Sequence, residues 1–66
     1  MKIKRNRKHI GRRVIVCNPQ MLLDGAVGII KGFRGDMRAG IPWVKVWFDR
    51  TGNVETVAAS NLKFAD

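Results

Sequence analysis

The chain has 66 residues, with 13 Lys or Arg against 5 Asp or Glu and a formal net charge of +8. At this size one domain is the limit: only about 60% of the unfolded surface is buried, net stability rarely exceeds about 3–5 kcal/mol, and there is little room for a deep catalytic pocket. The single cysteine, Cys17, excludes a disulfide or a cysteine zinc site within one chain and points to a reducing cytoplasm, and the apolar runs are far shorter than the ~20 residues of a membrane-spanning helix.

The charge is unevenly spread. Residues 1–13 carry Lys2, Lys4, Arg5, Arg7, Lys8, Arg12 and Arg13 with no acid, whereas residues 14–66 hold six cations and five acids. Residues 1–10 are therefore expected to be a flexible basic N-terminal arm ahead of a domain over residues 11–66. A block of like charge repels itself unless an anion is close, so the first partner to expect is a polyphosphate, nucleic acid above all. A signal peptide would need an apolar stretch after the basic start. None follows, so a cytoplasmic protein with no membrane partner is expected.

From Val14 the pattern becomes β-rich. Val14, Ile15 and Val16 are β-branched and end at the turn signal Asn18-Pro19. Asp24-Gly25 closes a second turn after Met21-Leu22-Leu23. Val27, Gly28, Ile29, Ile30 and Phe33 make the next strand, and residues 34–42, with Arg34, Gly35, Arg38, Gly40 and Pro42, read as a basic loop. Trp43–Phe48 is the clearest strand, and Asp49 to Asn53, with Gly52, fits a hairpin loop. Val54 to Val57 returns as a strand, residues 58–61 suit one 3₁₀ turn, and Leu62 to Phe64 ends the series. No segment carries a long 3.6-residue period.

Five short strands with Gly-rich connections predict an all-β fold, a small five-stranded antiparallel barrel. The expected core is Val14, Val16, Val27, Ile30, Val44, Val46, Phe48, Val57, Leu62 and Phe64.

Gly11-Arg12-Arg13-Val14-Ile15-Val16, then a turn, then Gly25-Ala26-Val27-Gly28-Ile29-Ile30, resembles the KOW motif, which opens SH3-like barrels in ribosomal proteins and in NusG-type transcription factors. The later Val44, Val46 and Phe48, the turn from Asp49 to Gly52, and Val57 and Leu62 are similar to the rest of such a barrel. The resemblance implies an SH3-like barrel and a place in transcription or translation. Gly28 corresponds to the motif's glycine, which suits a bulge or a close backbone approach.

Alternation along residues 43–48 puts Val44, Val46 and Phe48 on one face and Trp43, Lys45 and Trp47 on the other. An indole beside a cation is what a small β-barrel uses to stack unpaired bases. The competing reading has Trp43 or Trp47 packed under a loop, on Met21 to Leu23 or on Met37. With the arm, and with Arg34 and Arg38 in their loop, these residues form the expected nucleic-acid surface. RNA is expected ahead of DNA, with little sequence selectivity.

His9 is expected to be an exposed arm residue and Cys17 a packing residue. Asp24, Asp36 and Asp49 sit at ordinary turn positions. No carboxylate pair, phosphate loop, metal spacing or cofactor motif stands out, so a non-enzyme without metal or cofactor is expected. The alternative to nucleic-acid binding is a protein-binding regulator, phage- or plasmid-encoded, whose indoles and Met21-Leu22-Leu23 loop dock on a polymerase or ribosome.

Overall fold

The structure, a computed structural model, describes residues 3–34 and 42–65. It contains five strands: β1 (Arg13–Val16), β2 (Val27–Phe33), β3 (Trp43–Phe48), β4 (Asn53–Ala58) and β5 (Leu62–Phe64). They form one sheet in the order β4-β3-β2-β1-β5, antiparallel at every junction. A flat sheet is about 10 Å thick with its side chains, but this molecule measures 26 × 24 × 22 Å. The sheet is therefore curled around its inner face, and the expected small all-β, five-stranded antiparallel fold is what the chain adopts. Among the described residues, no helix is long and apolar enough to cross a membrane.

The core follows strand parity. Val14 and Val16 of β1, Ile30 of β2, Val44, Val46 and Phe48 of β3, Val57 of β4 and Leu62 of β5 are all buried on the inner face. Val27 is a correction. It was expected in the core, yet it is 42% exposed. Val27 and Ile30 lie three residues apart and cannot share a face of a regular strand. Gly28 takes the inward position instead, opposite Val14 and Phe48.

The parity of β2 changes further on. Ile30 pairs with Val46 and Gly32 with Lys45, so Lys31 is one extra residue in the strand. This β-bulge puts Phe33 opposite Val44 and packs it against the core. Without it, Phe33 would lie on the outward face with Ile29. Phe64 is half-buried against the core rather than enclosed in it.

The connections are tight. In the loop between β1 and β2, the Asn18 N–H donates to Asp24 Oδ1 at 2.9 Å and the Gln20 N–H to Asn18 Oδ1 at 3.0 Å. Met21 and Leu23 pack on the core from this loop, while Leu22 is fully exposed at 101%. Asn18 Nδ2 donates to Asn61 Oδ1 at 3.2 Å, linking the loop to the 3₁₀ turn Ala59–Asn61 before β5. Cys17 was expected to pack; it lies just past the end of β1 and is exposed.

Residues 3–10 are seated on the barrel, unlike the flexible arm expected from charge alone. Ile3 is 3% exposed and belongs to the core cluster. Arg7–His9 form a 3₁₀ turn whose cap, Asn6, accepts from the Lys8 N–H through Oδ1 at 2.9 Å. One buried isoleucine supplies the apolar anchor that the cationic residues around it cannot.

Among the described glycines, the tightest backbone approach is at Gly28. A Cβ there would lie 2.5 Å from Val46 Cγ1, 2.6 Å from the Trp47 carbonyl oxygen and 2.9 Å from Phe48 Cδ1. The carbonyl cannot move without breaking the β2–β3 ladder. Gly52 has a different reason to be glycine: its φ is +69° and nothing lies within 4 Å of a Cβ. We expect Gly28→Ala to cost about 3 kcal/mol, the upper end of what overpacking costs, enough to unfold much of a domain this small. Gly52→Ala should cost only about 1–2 kcal/mol through its left-handed backbone. Chemical denaturation followed by circular dichroism measures both.

Candidate nucleic-acid interface

The outward face is built by register. Val54 of β4 lies opposite Trp47, Trp47 opposite Ile29 of β2, and Ile29 opposite Arg13 of β1. One row thus crosses four strands and reads Val-Trp-Ile-Arg. The neighbouring row holds Val27, Ile15 and Lys63, since Ile15 pairs with both of the others. Lys45, exposed, stands between the two indoles on β3. The result is an apolar strip with Arg13, Lys45 and Lys63 around it.

Trp43 and Trp47 share this face, as alternation requires, and both are half-buried. Neither belongs to the inner core cluster, to which Met21 and Leu23 give their side chains. Four residues of strand separate the indoles, about 13 Å at 3.3 Å per residue, so one base cannot stack on both. Trp43 lies beside Ala58, and its carbonyl accepts from the Arg34 N–H at 3.0 Å. Trp47 lines a concavity of about 290 Å³ with Arg13, Val27, Gly28, Ile29 and Asp49.

The remaining cations fall into separate groups. Lys4, Arg5, Arg7 and Lys8 are exposed on the seated N-terminal segment. Arg12 lies half-buried with its guanidinium carbon 3.8 Å from the Phe64 ring centroid, and the His9 ring meets the same phenyl edge-on at 5.0 Å. Phe64 thereby ties the basic segment to β5, through the attraction between a cation and a ring face. His9 Nδ1 also lies 3.0 Å from the Lys4 carbonyl oxygen. Expected to be exposed, His9 is half-buried and helps to hold the segment. Arg34 is exposed at the end of β2. Lys2, Arg38 and Met37 lie outside the described residues.

Among the described cations at the chain's start, Arg13 lines the concavity with Trp47, while Arg12 is turned to the opposite side and stacked on Phe64. The sequence supports that one of this pair faces outward; which one depends on the β1 register. Sequence reasoning missed Val27, Ile29, Asp49 and Lys63. Their signal is the two-residue alternation carried across neighbouring strands, which becomes usable only once the pairing of β1, β2 and β3 is known.

No family model matches this chain, and no curated protein or solved structure is significantly similar to it. The likeness to KOW domains rests on the residues that carry it.

The different settings of Arg12 and Arg13 lead to different expectations. Arg12→Ala should lower stability by about 0.5–1 kcal/mol through the lost cation–π contact. Arg13→Ala, on the open face, should stay within about 0.5 kcal/mol of the parent chain. Paired thermal melts provide the comparison.

Proposed function

We propose that this chain is a small nucleic-acid-binding module, a non-enzyme with a KOW-like barrel that prefers RNA to DNA. The observation that carries this reading is Trp47, half-buried on an open sheet face, with Lys45 two residues along its own strand and Arg13 beyond Ile29 in the same row, lining the same concavity. An aromatic ring beside cations suits an unpaired base with its phosphates. The exposed cations of residues 4–8 extend the electrostatic attraction without adding base selectivity. Gly28, which the sequence resemblance matches to the KOW motif's glycine, lies at a close approach between β2 and β3.

A second reading has its own observation. Leu22 is fully exposed at a loop tip whose backbone is held by the Asn18 and Asp24 hydrogen bonds. A rigidly presented leucine, with the exposed Val27 and Val54 on the sheet face, fits docking on a protein such as a polymerase or ribosomal component.

Titration with single-stranded RNA, read by tryptophan fluorescence, tests the first reading. Affinity should fall with salt with a log–log slope of about −0.7 per phosphate contacted. Truncating the chain would also remove the Ile3 anchor, so the suitable variant is the triple substitution Lys4→Gln, Arg7→Gln, Lys8→Gln. It should flatten the slope by about 2 with the fold retained. Trp47→Ala should cost about 1–3 kcal/mol of binding. A flat salt dependence, or full affinity in Trp47→Ala, would count against the proposal. If Leu22→Asp instead abolishes a nuclease-resistant protein complex while RNA affinity stays weak, the second reading takes its place.

A further inference from the structure

We infer that the concavity beside Trp47 takes a single unpaired guanine of a single-stranded nucleic acid, with Asp49 as the residue that selects it. This deepens the nucleic-acid reading above and rests on it. The concavity spans three neighbouring strands. Val27, Gly28 and Ile29 of β2 form its floor, Arg13 of β1 stands on one side, and Trp47 and Asp49 at the end of β3 stand on the other. Its volume of about 290 Å³ is just below the ~300–1,000 Å³ of small-molecule sites, which suits one base rather than a larger ligand. The floor is apolar, as a ring system requires, and the indole offers a stacking surface on one wall.

The chemistry of the rim makes the choice of base. A carboxylate on a surface that meets a phosphate chain is repelled by it, so Asp49 favours binding only when it accepts hydrogen bonds from the ligand. Guanine presents N1–H and the N2 amino group side by side, and one carboxylate can accept from both. Adenine and cytosine each offer a single amino donor next to a ring acceptor. Uracil offers one N–H between two carbonyl oxygens, which a carboxylate repels. Asp49 follows Phe48, and because Phe48 pairs with Gly28, it falls beside Val27 and the floor of the site. Arg13, on the far side, is placed to hold the phosphate of the same nucleotide, as a planar guanidinium does well. The four groups thus divide the recognition of one nucleotide: ring, floor, base edge and phosphate.

The test uses the full chain and short uridine oligomers that carry one central guanosine, inosine or adenosine, titrated by tryptophan fluorescence. Guanosine should bind about tenfold more tightly than adenosine, the lower part of what a bidentate contact to a base edge gives. Inosine, which keeps N1–H and lacks the amino group, should fall between them. Asp49→Asn keeps the shape of the turn; it should abolish the preference for guanosine while the uridine-only oligomer binds as well as before or better. Equal affinity for the guanosine and adenosine oligomers, or a preference that survives in Asp49→Asn, overturns the guanine site and leaves the nucleic-acid module standing. No binding of any oligomer overturns the module itself, and the guanine site with it.

Discussion

Everything on both faces of the sheet depends on the contact between β2 and β3 at Gly28. The missing side chain lets the backbone of β2 lie against Val46, the Trp47 carbonyl and Phe48, and Phe48 then fills the inner face with no exposure at all. In a chain this short the core has few large side chains. Placing the Phe48 ring fully inside, where apolar burial stabilises by about 25 cal/mol per Å², matters more than any single surface contact. The same pairing sets the outward face. With Gly28 opposite Phe48, the register of Ile29 with Trp47 and with Arg13 follows, and the indole, the aliphatic floor and the guanidinium fall in one row.

Two devices adjust that frame. The bulge at Lys31 shifts the parity of β2 by one residue, which returns Phe33 to the core side and leaves the outward row ending in small or charged residues. At the other edge, Phe64 is held between the core and the basic N-terminal segment, with Arg12 over its face and His9 at its rim. A run of cations pays a repulsive penalty for being ordered. Burial of Ile3 and the Asn6 cap, which salt screens little, and the aromatic contacts at Phe64 offset it. The exposed cations of this segment are therefore presented from a fixed position beside β5, and a partner need not supply all of their ordering entropy.

The outward face and the basic segment differ in what they can recognise. Lys4, Arg7 and Lys8 offer charge, which attracts any polyanion and has little power to discriminate. The row through Trp47 offers shape, stacking and, through Asp49, one acceptor group among cations. If the chain is the nucleic-acid-binding module proposed, it would associate quickly through the first and choose through the second. Leu22, at the tip of its hydrogen-bonded loop, is a third kind of feature: an apolar point with no charge beside it in sequence until Asp24.

The residues alone determined a good deal. Short β-branched runs bounded by Asn18-Pro19, Asp24-Gly25 and Gly52 prescribe five strands with tight turns, and alternation in residues 43–48 separates a Val-Val-Phe face from a Trp-Lys-Trp face, because both are local properties of an extended backbone. The excess of positive charge at the start is likewise plain from composition. Tertiary structure decided the rest. Which of Val27 and Gly28 points inward depends on a close approach to another strand, and the change of parity at Lys31 depends on pairing with β3. The seating of the basic segment depends on a cavity for Ile3 and a ring for Arg12, both built by distant residues. Asp49, read locally, is a turn residue like any other. It becomes part of the proposed site only because the pairing of β3 with β2 and of β2 with β1 lines it up with Val27 and Arg13, and no local pattern encodes which residues face one another across strands.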